Sequence, residues 1–115
     1  MPHEIKRLKQ ITLGTMRHLK YEVYDALGSD ITISSCTFVV RDSNKNVISN
    51  GTATADNADT DQAGNTIATV MAAVDFGQTD YSTGHYQLRL YVVFASGETD
   101  KFIVPLEVLD YEEVK

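Results

Sequence analysis

The sequence predicts an all-β protein, a sandwich of antiparallel strands, and three observations support this fold class. Thr, Val, Ile and Tyr are plentiful and Trp is absent, which favours strands. Several runs alternate apolar and polar residues, and turn-forming residues separate these runs at intervals of about 8–12 residues. At 115 residues, with 43% apolar residues and two prolines, the chain is long enough for one domain with its own core.

The chain is predicted to divide into an arm, a sandwich and a tail. Residues 1–17 are expected to form a basic N-terminal arm or first strand, residues 18–110 the sandwich, and residues 111–115 a short tail. The arm fits either a helical turn or an extended segment, and we favour the extended segment. The spacing of its apolar residues is compatible with both conformations; these residues are Ile5, Leu8 and Ile11.

Four further strands are predicted before the end of the chain. They are Leu19–Val23, Ile33–Arg41, Val47–Ala55 and Thr66–Phe76. An Asn-Gly pair interrupts the third of them and predicts a bulge or a tight bend. The polar segment Asp56–Asn65 is expected to be the longest loop and the most mobile one. The segment Gly77–Gly84 is expected to cross over to the terminal strands.

The last third of the chain predicts two long strands that form one hairpin. Inward-facing residues of the first strand recur with period two, as they do in the second. Those of the first are Tyr86, Leu88, Leu90, Val92 and Phe94, and those of the second are Phe102, Val104, Leu106 and Val108. Pro105 cannot donate a ladder hydrogen bond, so the last strand is expected to be an edge strand or to contain a bulge. With the arm, the count is about seven strands.

The loop of this hairpin decides its register. A two-residue turn sets Lys101 opposite Val92 and so places a charge against the core. A three-residue loop with Gly97 in the left-handed conformation instead sets Leu90 opposite Phe102. Because a slip of one residue turns every side chain to the other face, the three-residue loop is predicted.

The outer face of the hairpin is not cleanly polar. In the predicted register Tyr91, Val93, Ile103 and Leu109 all point outward. Either a loop or the N-terminal segment covers them, or they form a protein-binding patch, since contiguous exposed apolar area usually marks an interface.

Charge is distributed unevenly along the chain, whose net charge is −6. The first twenty residues hold five basic residues and one acidic residue, whereas the remainder holds five basic and fifteen acidic residues. An acidic body argues against nucleic acid as a partner. The basic arm, with Lys6, Arg7 and Lys9, is expected either to dock on a neighbouring subunit or to be a solvated terminus.

Cysteine usage and the start of the chain bear on where the protein folds. The single Cys36 cannot form an internal disulfide, and its place in an alternating run predicts a buried structural thiol. No apolar run at the start resembles a signal peptide, and none elsewhere is long enough to span a bilayer. These observations predict folding in the cytoplasm and no membrane partner.

Catalytic and metal-binding patterns are absent from the sequence. Asp56, Asp59 and Asp61 suggest calcium, but their spacing does not fit an EF-hand loop. The three histidines, His3, His18 and His85, are scattered and have no metal-ligand spacing. Nucleophile motifs, phosphate-binding glycine loops and paired cysteines are missing. The protein is therefore predicted not to be an enzyme, and no metal or cofactor is expected.

The segment around Tyr86 refines the fold class. Gly84 stands two residues before Tyr86 at the start of a long penultimate strand, which resembles the tyrosine corner of immunoglobulin-like domains. Leu88 stands where antibody domains carry their second cysteine, and Cys36 is expected on the strand of the first. The resemblance implies an immunoglobulin-like Greek-key sandwich without the disulfide.

Longer stretches extend this resemblance to a functional class. The runs Leu19–Asp25, Thr37–Asp42, Gly84–Tyr86 and Val104–Val108 together resemble small immunoglobulin-like proteins encoded among phage and prophage structural genes, of the baseplate upper or head and tail accessory type. The resemblance implies a structural role in the virion and contacts with copies of the chain or with another virion protein. It supplies no catalytic residues.

Two functions are therefore expected for this chain. The first is assembly through the outer face of the hairpin (Tyr91, Val93, Ile103) and through the basic arm. The alternative is a ligand-binding or carbohydrate-binding module that uses the loop tips Asp56–Asn65 and Gly77–Thr83. Sugar stacking needs exposed aromatic residues, and Tyr81 is the single one in these loops.

Overall fold

The computed structural model describes residues 3–4, 8–23, 32–60, 64, 66–78 and 80–110. These residues form strands and turns, and they confirm the predicted all-β sandwich. In chain order the strands are β1 (His3–Glu4), β2 (Lys9–Thr12), β3 (Met16–Val23), β4 (Ile33–Asp42), β5 (Val47–Thr52), β6 (Thr54–Thr60), β7 (Thr66–Asp75), β8 (Gly84–Phe94) and β9 (Thr99–Leu109).

The strands form two sheets. In the larger sheet β5, β4, β8 and β9 follow one another, and both β1 and β2 pair with the far side of β9. The smaller sheet has the order β3, β7, β6. With β3, β7 and β6 in the places of strands B, E and D, and β4, β8 and β9 in those of C, F and G, this is the immunoglobulin-like arrangement. All pairs are antiparallel except those of β1 and β2 with β9, which are parallel.

The chain changes sheets between β5 and β6, at the buried residue Ala53. The Ala53 amide donates to the carbonyl of Cys36 at 3.0 Å, and the following residues pair with β7 in the smaller sheet. The prediction of one strand over Val47–Ala55 followed by a loop over Asp56–Asn65 is therefore wrong as far as Thr60. Residues 61–63 and 65 lie outside the described residues.

Strand β6 holds its place although its side chains are mostly polar. It is an edge strand, so one ladder to β7 suffices, and a bulge between Asp56 and Asp59 accommodates the extra residues. The Asn57 side chain bonds the backbone of Ile33 on β4, accepting from its amide at 2.8 Å and donating to its carbonyl at 3.1 Å. Asn57 thus acts like a ladder residue and joins the two sheets at this side of the sandwich.

The core lies between the two sheets, and the sheets contribute to it unequally. The larger sheet supplies most of the bulky side chains, among them Phe38, Leu88, Leu90, Phe102 and Leu106. Several of the smaller sheet's buried residues are alanines and valines, such as Ala68, Val70, Ala72 and Val74. Small side chains facing large ones let the layers interdigitate at native density.

The Asn-Gly pair of β5 has a packing role that differs from the predicted bend. Gly51 lies opposite Phe38 in the ladder, and a Cβ atom built on it comes within 3.0 Å of Cε1 of the Phe38 ring. The ring therefore occupies the space of the missing side chain. The change of direction comes two residues later, at Ala53.

The predicted register of the terminal hairpin is confirmed. Leu90 lies opposite Phe102, and Lys101 lies opposite Tyr91 on the outer face. Gly97 has a φ of +92°, and its amide donates to the carbonyl of Phe94 at 2.9 Å. The three-residue loop with a left-handed glycine keeps the charge out of the core, as the alternation required.

Pro105 lies in a strand that is paired on both sides, so β9 is not an edge strand. On one side Pro105 lies opposite Gln87 of β8. On the other side the pairing with β1 reaches Ile103, and the pairing with β2 starts at Leu106. Among the described residues, the ladder is thus interrupted where the proline has no amide hydrogen to offer.

The Tyr86 hydroxyl makes the backward bonds of a tyrosine corner. It donates to the Ser82 carbonyl at 2.9 Å and accepts from the Ser82 amide at 3.0 Å. Gly84, the first residue of β8, lies between the two partners. Cys36 lies on β4 opposite Val92 of β8, in the same sheet as Leu88. The expectation that Cys36 marks the first-cysteine strand is wrong, because that strand belongs to the opposing sheet.

Candidate protein-interaction surface

The outer face of the larger sheet gathers apolar and basic side chains that are distant in sequence. Strand alternation directs them away from the core, and the ladders place them in rows across β4, β8 and β9. One row joins Thr37, Tyr91 and Lys101. The next joins Val39, Arg89 and Ile103, and a third joins Arg41, Gln87 and Pro105.

The apolar part of this face is half-buried within its own sheet. Val39, Tyr91, Val93 and Ile103 have intermediate exposure, because each lies among neighbours on the same face. All the described strands belong to the two sheets, so none of them packs across this surface. The outer face is thus an apolar surface open to a partner, as far as the described residues go.

Three cations accompany these apolar residues. Nζ of Lys101 lies 5.2 Å from the ring centroid of Tyr91, a cation–π distance. Nε of Arg89 donates to Oε1 of Gln87 at 2.7 Å. Nε of Arg41 is shielded from solvent and has no hydrogen-bond partner in the described part of the chain.

Two other basic side chains of the described residues are paired with carboxylates. Lys20 forms an ion pair with Asp59 across the smaller sheet. Nε2 of His85 lies 3.5 Å from Oε2 of Glu107, which also accepts a hydrogen bond from Gln10 through its other oxygen. The cations of the outer face thus differ from these two in lacking an acidic partner among the residues described.

The structure places the predicted interface residues in two groups. Tyr91, Val93 and Ile103 lie together on the outer face. Lys9 is exposed on β2, but it shares the strand parity of the buried Ile11, so it leaves the strand on the opposite side. Lys6 and Arg7 lie outside the described residues. The outer face and Lys9 are therefore separate surfaces.

Sequence reasoning missed the basic residues of the outer face. Arg41 and Arg89 alternate with buried residues of β4 and β8, so strand parity alone could have assigned each of them to an outer face. Their proximity could not be predicted in this way, since it depends on β4 pairing with β8.

The aromatic residue of the loop tip Gly77–Thr83, which was proposed for sugar binding, is buried. Tyr81 is only 5% exposed, so the prediction that it is an exposed stacking residue is wrong. Its ring packs against Phe76 at 4.9 Å and Tyr86 at 5.3 Å between centroids, and its hydroxyl bonds that of Ser49. Burial raises the pKa of this phenol above its ordinary value. The three rings close one end of the core.

The candidate metal ligands either lie apart from one another or are bonded to other side chains. In the described ranges, no three His, Cys, Asp or Glu side chains form a group that could hold a metal ion. Asp59 is bonded to Lys20 and to the hydroxyl of Thr69, and the Lys20 bond is the main reason that its pKa is lowered. Burial raises the pKa of the Cys36 thiol, which favours the unreactive protonated form. Within the described residues, no helix is long and apolar enough to cross a membrane.

Comparison with known proteins supports the fold and leaves the family open. No family model and no curated protein matches this chain. Among solved structures, the chain is similar to the crystal structure of CopC from Methylosinus trichosporium OB3b, with a TM-score of 0.53. The similarity covers 93% of this chain and 88% of that one at 13% sequence identity. At this level of identity the likeness establishes a shared β-sandwich fold and nothing about activity.

Proposed function

We propose that this chain is a non-catalytic structural protein that assembles with copies of itself through the outer face of its larger sheet. The placement in a phage or prophage virion rests on the sequence resemblance described above. Assembly into a particle requires contact surfaces rather than a reactive site.

The observation that carries the proposal is the composition of the outer face. Interface cores are enriched in aromatic residues and arginine and depleted of acidic residues. The three rows contain Tyr91, Ile103 and two arginines and no acidic residue, and the carboxylate of the next row, Glu107, is paired with His85. A face of this composition, uncovered by any described strand, is suited to burial against another protein surface.

A carbohydrate-binding function has weaker support. Sugar-binding loops rely on exposed aromatic rings, and Tyr81 is held within the core by Phe76 and Tyr86. The other proposed loop tip, Asp56–Asn65, forms strand β6 as far as Thr60. The outer face therefore ranks above the loop tips as the contact surface.

The test is the solution mass by light scattering, at two protein concentrations and at low and high salt. We expect a defined oligomer for the natural sequence and a monomer for the double variant Tyr91→Ser, Ile103→Ser. The control is Met16→Ser, which removes an apolar residue of 55% exposure from β3 of the smaller sheet.

The result that contradicts the proposal is a monomer of the natural sequence under every condition. Equal loss of mass in the double variant and in Met16→Ser also contradicts it, because the outer face then has no special role. Circular dichroism verifies that each variant is folded. For the virion role, mass spectrometry of particles purified after prophage induction in the source organism should detect the chain.

A further inference from the structure

The arginines of the outer face are close neighbours that meet across the ladder between β4 and β8. Arg41 lies opposite Gln87, and Arg89 lies opposite Val39, two residues away on each strand. Diagonal neighbours of this kind have Cβ atoms about 7–8 Å apart, which long side chains span with ease. Gln87 lies opposite Arg41 in the ladder and accepts a hydrogen bond from Nε of Arg89.

One guanidinium donor in this pair is left without an acceptor. Nε of Arg41 is shielded from solvent and makes no hydrogen bond within the described residues. A buried donor that is left unsatisfied costs free energy, and more when it is charged. Because this Nε atom is closed to solvent, an incoming carboxylate would bind the terminal nitrogens of the guanidinium, which can hold it by two parallel hydrogen bonds.

The charge distribution indicates where such a carboxylate comes from. Beyond residue 20 the chain has fifteen acidic and five basic residues. Three of those five, Arg41, Arg89 and Lys101, lie on the outer face. These three rows are therefore a basic region on an acidic body, and a second copy of the chain, with sixteen acidic residues, can supply the carboxylate. Opposite charges also steer such encounters.

From these observations we infer that Arg41 and Arg89 form a carboxylate-binding pair, which receives an acidic side chain of a second copy of this chain. The inference rests on the proposed self-assembly and adds the chemistry of the contact. Arginine suits this role because its planar group holds a carboxylate by two parallel hydrogen bonds. Tyr91 and Ile103 supply the apolar surroundings that exclude water from the pair.

The first experiment measures self-association of the double variant Arg41→Gln, Arg89→Gln. Glutamine keeps much of the side-chain length and removes the charge. We expect association about 10- to 100-fold weaker and less dependent on salt than in the natural sequence. Lys45→Gln is the control, since it removes an exposed cation from the turn after β4. Unchanged association of the arginine double variant overturns the inference.

The second experiment observes the guanidinium groups directly by nuclear magnetic resonance. The Nε–Hε signals of Arg41 and Arg89 should shift as the protein concentration rises, while that of Arg17 on β3 stays unchanged. Sodium acetate, as a carboxylate probe, should shift the same two signals, and sodium chloride at equal ionic strength should not. Equal shifts with both salts, or none, overturn carboxylate recognition.

The two proposals fail in different ways. If Tyr91→Ser, Ile103→Ser dissociates the oligomer and the arginine variant does not, assembly through the outer face stands and the carboxylate-binding pair is wrong. If the natural sequence is a monomer under every condition, self-assembly itself is wrong, and this is known before any arginine is replaced.

Discussion

The outer faces of the two sheets differ in how their charged side chains are paired. On the smaller sheet Lys20, Thr69 and Asp59 lie on three adjacent strands, and the Asp59 carboxylate bonds both of the others, so its charge is compensated within the chain. On the larger sheet Arg41 and Arg89 have no carboxylate within the described residues, and apolar side chains surround them. Alternation places both sets outward, but only in the first is the cation paired with a carboxylate of the described residues.

Under the proposed function, this difference separates the residues that stabilise the single chain from those that contact a second copy. A face that satisfies its own charges contributes to the stability of the single chain and has little to offer another molecule. A face with unsatisfied donors and apolar area contributes little to stability and gains most when it is covered. Replacements on the two faces, and in the core between them, should therefore have effects of different kinds.

The largest effect on stability is expected for the core directly beneath the outer face. Leu90 is fully buried, whereas its neighbour Tyr91 points outward. Leu90→Ala should lower the free energy of unfolding by about 2–5 kcal/mol, because it leaves a cavity. Tyr91→Ala should lower it by about 1 kcal/mol or less, since it removes only the cation–π contact and partial burial.

Urea denaturation followed by circular dichroism measures both values, at a protein concentration low enough to keep the chain monomeric. A loss for Tyr91→Ala as large as that for Leu90→Ala contradicts the division between folding and association. In that case the outer face is part of the core of the single chain.

An intermediate effect is expected at the tyrosine corner, which fixes the start of β8. Tyr86→Phe removes the partner of both the amide and the carbonyl of Ser82. Leaving such groups unpaired in a partly buried site should cost about 1–3 kcal/mol. Tyr91→Phe is the matched control, because the Tyr91 hydroxyl makes no hydrogen bond in the described structure and its loss should be nearly neutral.

Urea denaturation again provides the comparison. Similar losses in the two variants speak against a special role for the corner. The association of Tyr86→Phe, measured under conditions in which it is folded, should equal that of the natural sequence, because the corner lies away from the outer face.

The smallest effect is the pH dependence contributed by the smaller sheet. The Lys20 ammonium, with bonds from Thr60 and Thr69, holds the pKa of Asp59 below its ordinary value of 3.8. A carboxyl group whose pKa is lower in the folded state than in the unfolded state stabilises the folded state at pH values above the unfolded pKa. That contribution should be fully present above about pH 5 and lost as the pH falls through the lowered pKa.

Asp59→Asn should remove part of the acid dependence of stability between about pH 5 and pH 2. The measurement is the urea midpoint across this range. Asp75→Asn is the control, because the Asp75 carboxylate accepts the Gly77 amide and forms no ion pair among the described residues. An acid dependence that is the same in Asp59→Asn and in the natural sequence shows that the Lys20 pair contributes nothing. Association should be unaffected, since this pair is on the opposite sheet from the outer face.

Local features of the sequence determined a large part of the fold. Period-two alternation is a property of a few consecutive residues, and it assigned the inner and outer residues of β8 and β9 as the structure has them. The hairpin register followed as well, because Gly97 and the parity of the loop leave one pairing that keeps Lys101 out of the core. For the same reason Tyr91, Val93 and Ile103 could be placed on one face from the sequence.

Tertiary structure alone decided the features that depend on distant segments. Strand β6 has no apolar period of its own, and it is a strand because β7 pairs with it and Asn57 bonds Ile33 of β4. Tyr81 follows a polar loop, and only the rings of Phe76 and Tyr86 explain its burial. Arg41 and Arg89 are 48 positions apart, and the ladder between β4 and β8 makes them neighbours. Alternation is set by the direction of successive side chains, whereas these contacts are set by which strands pair.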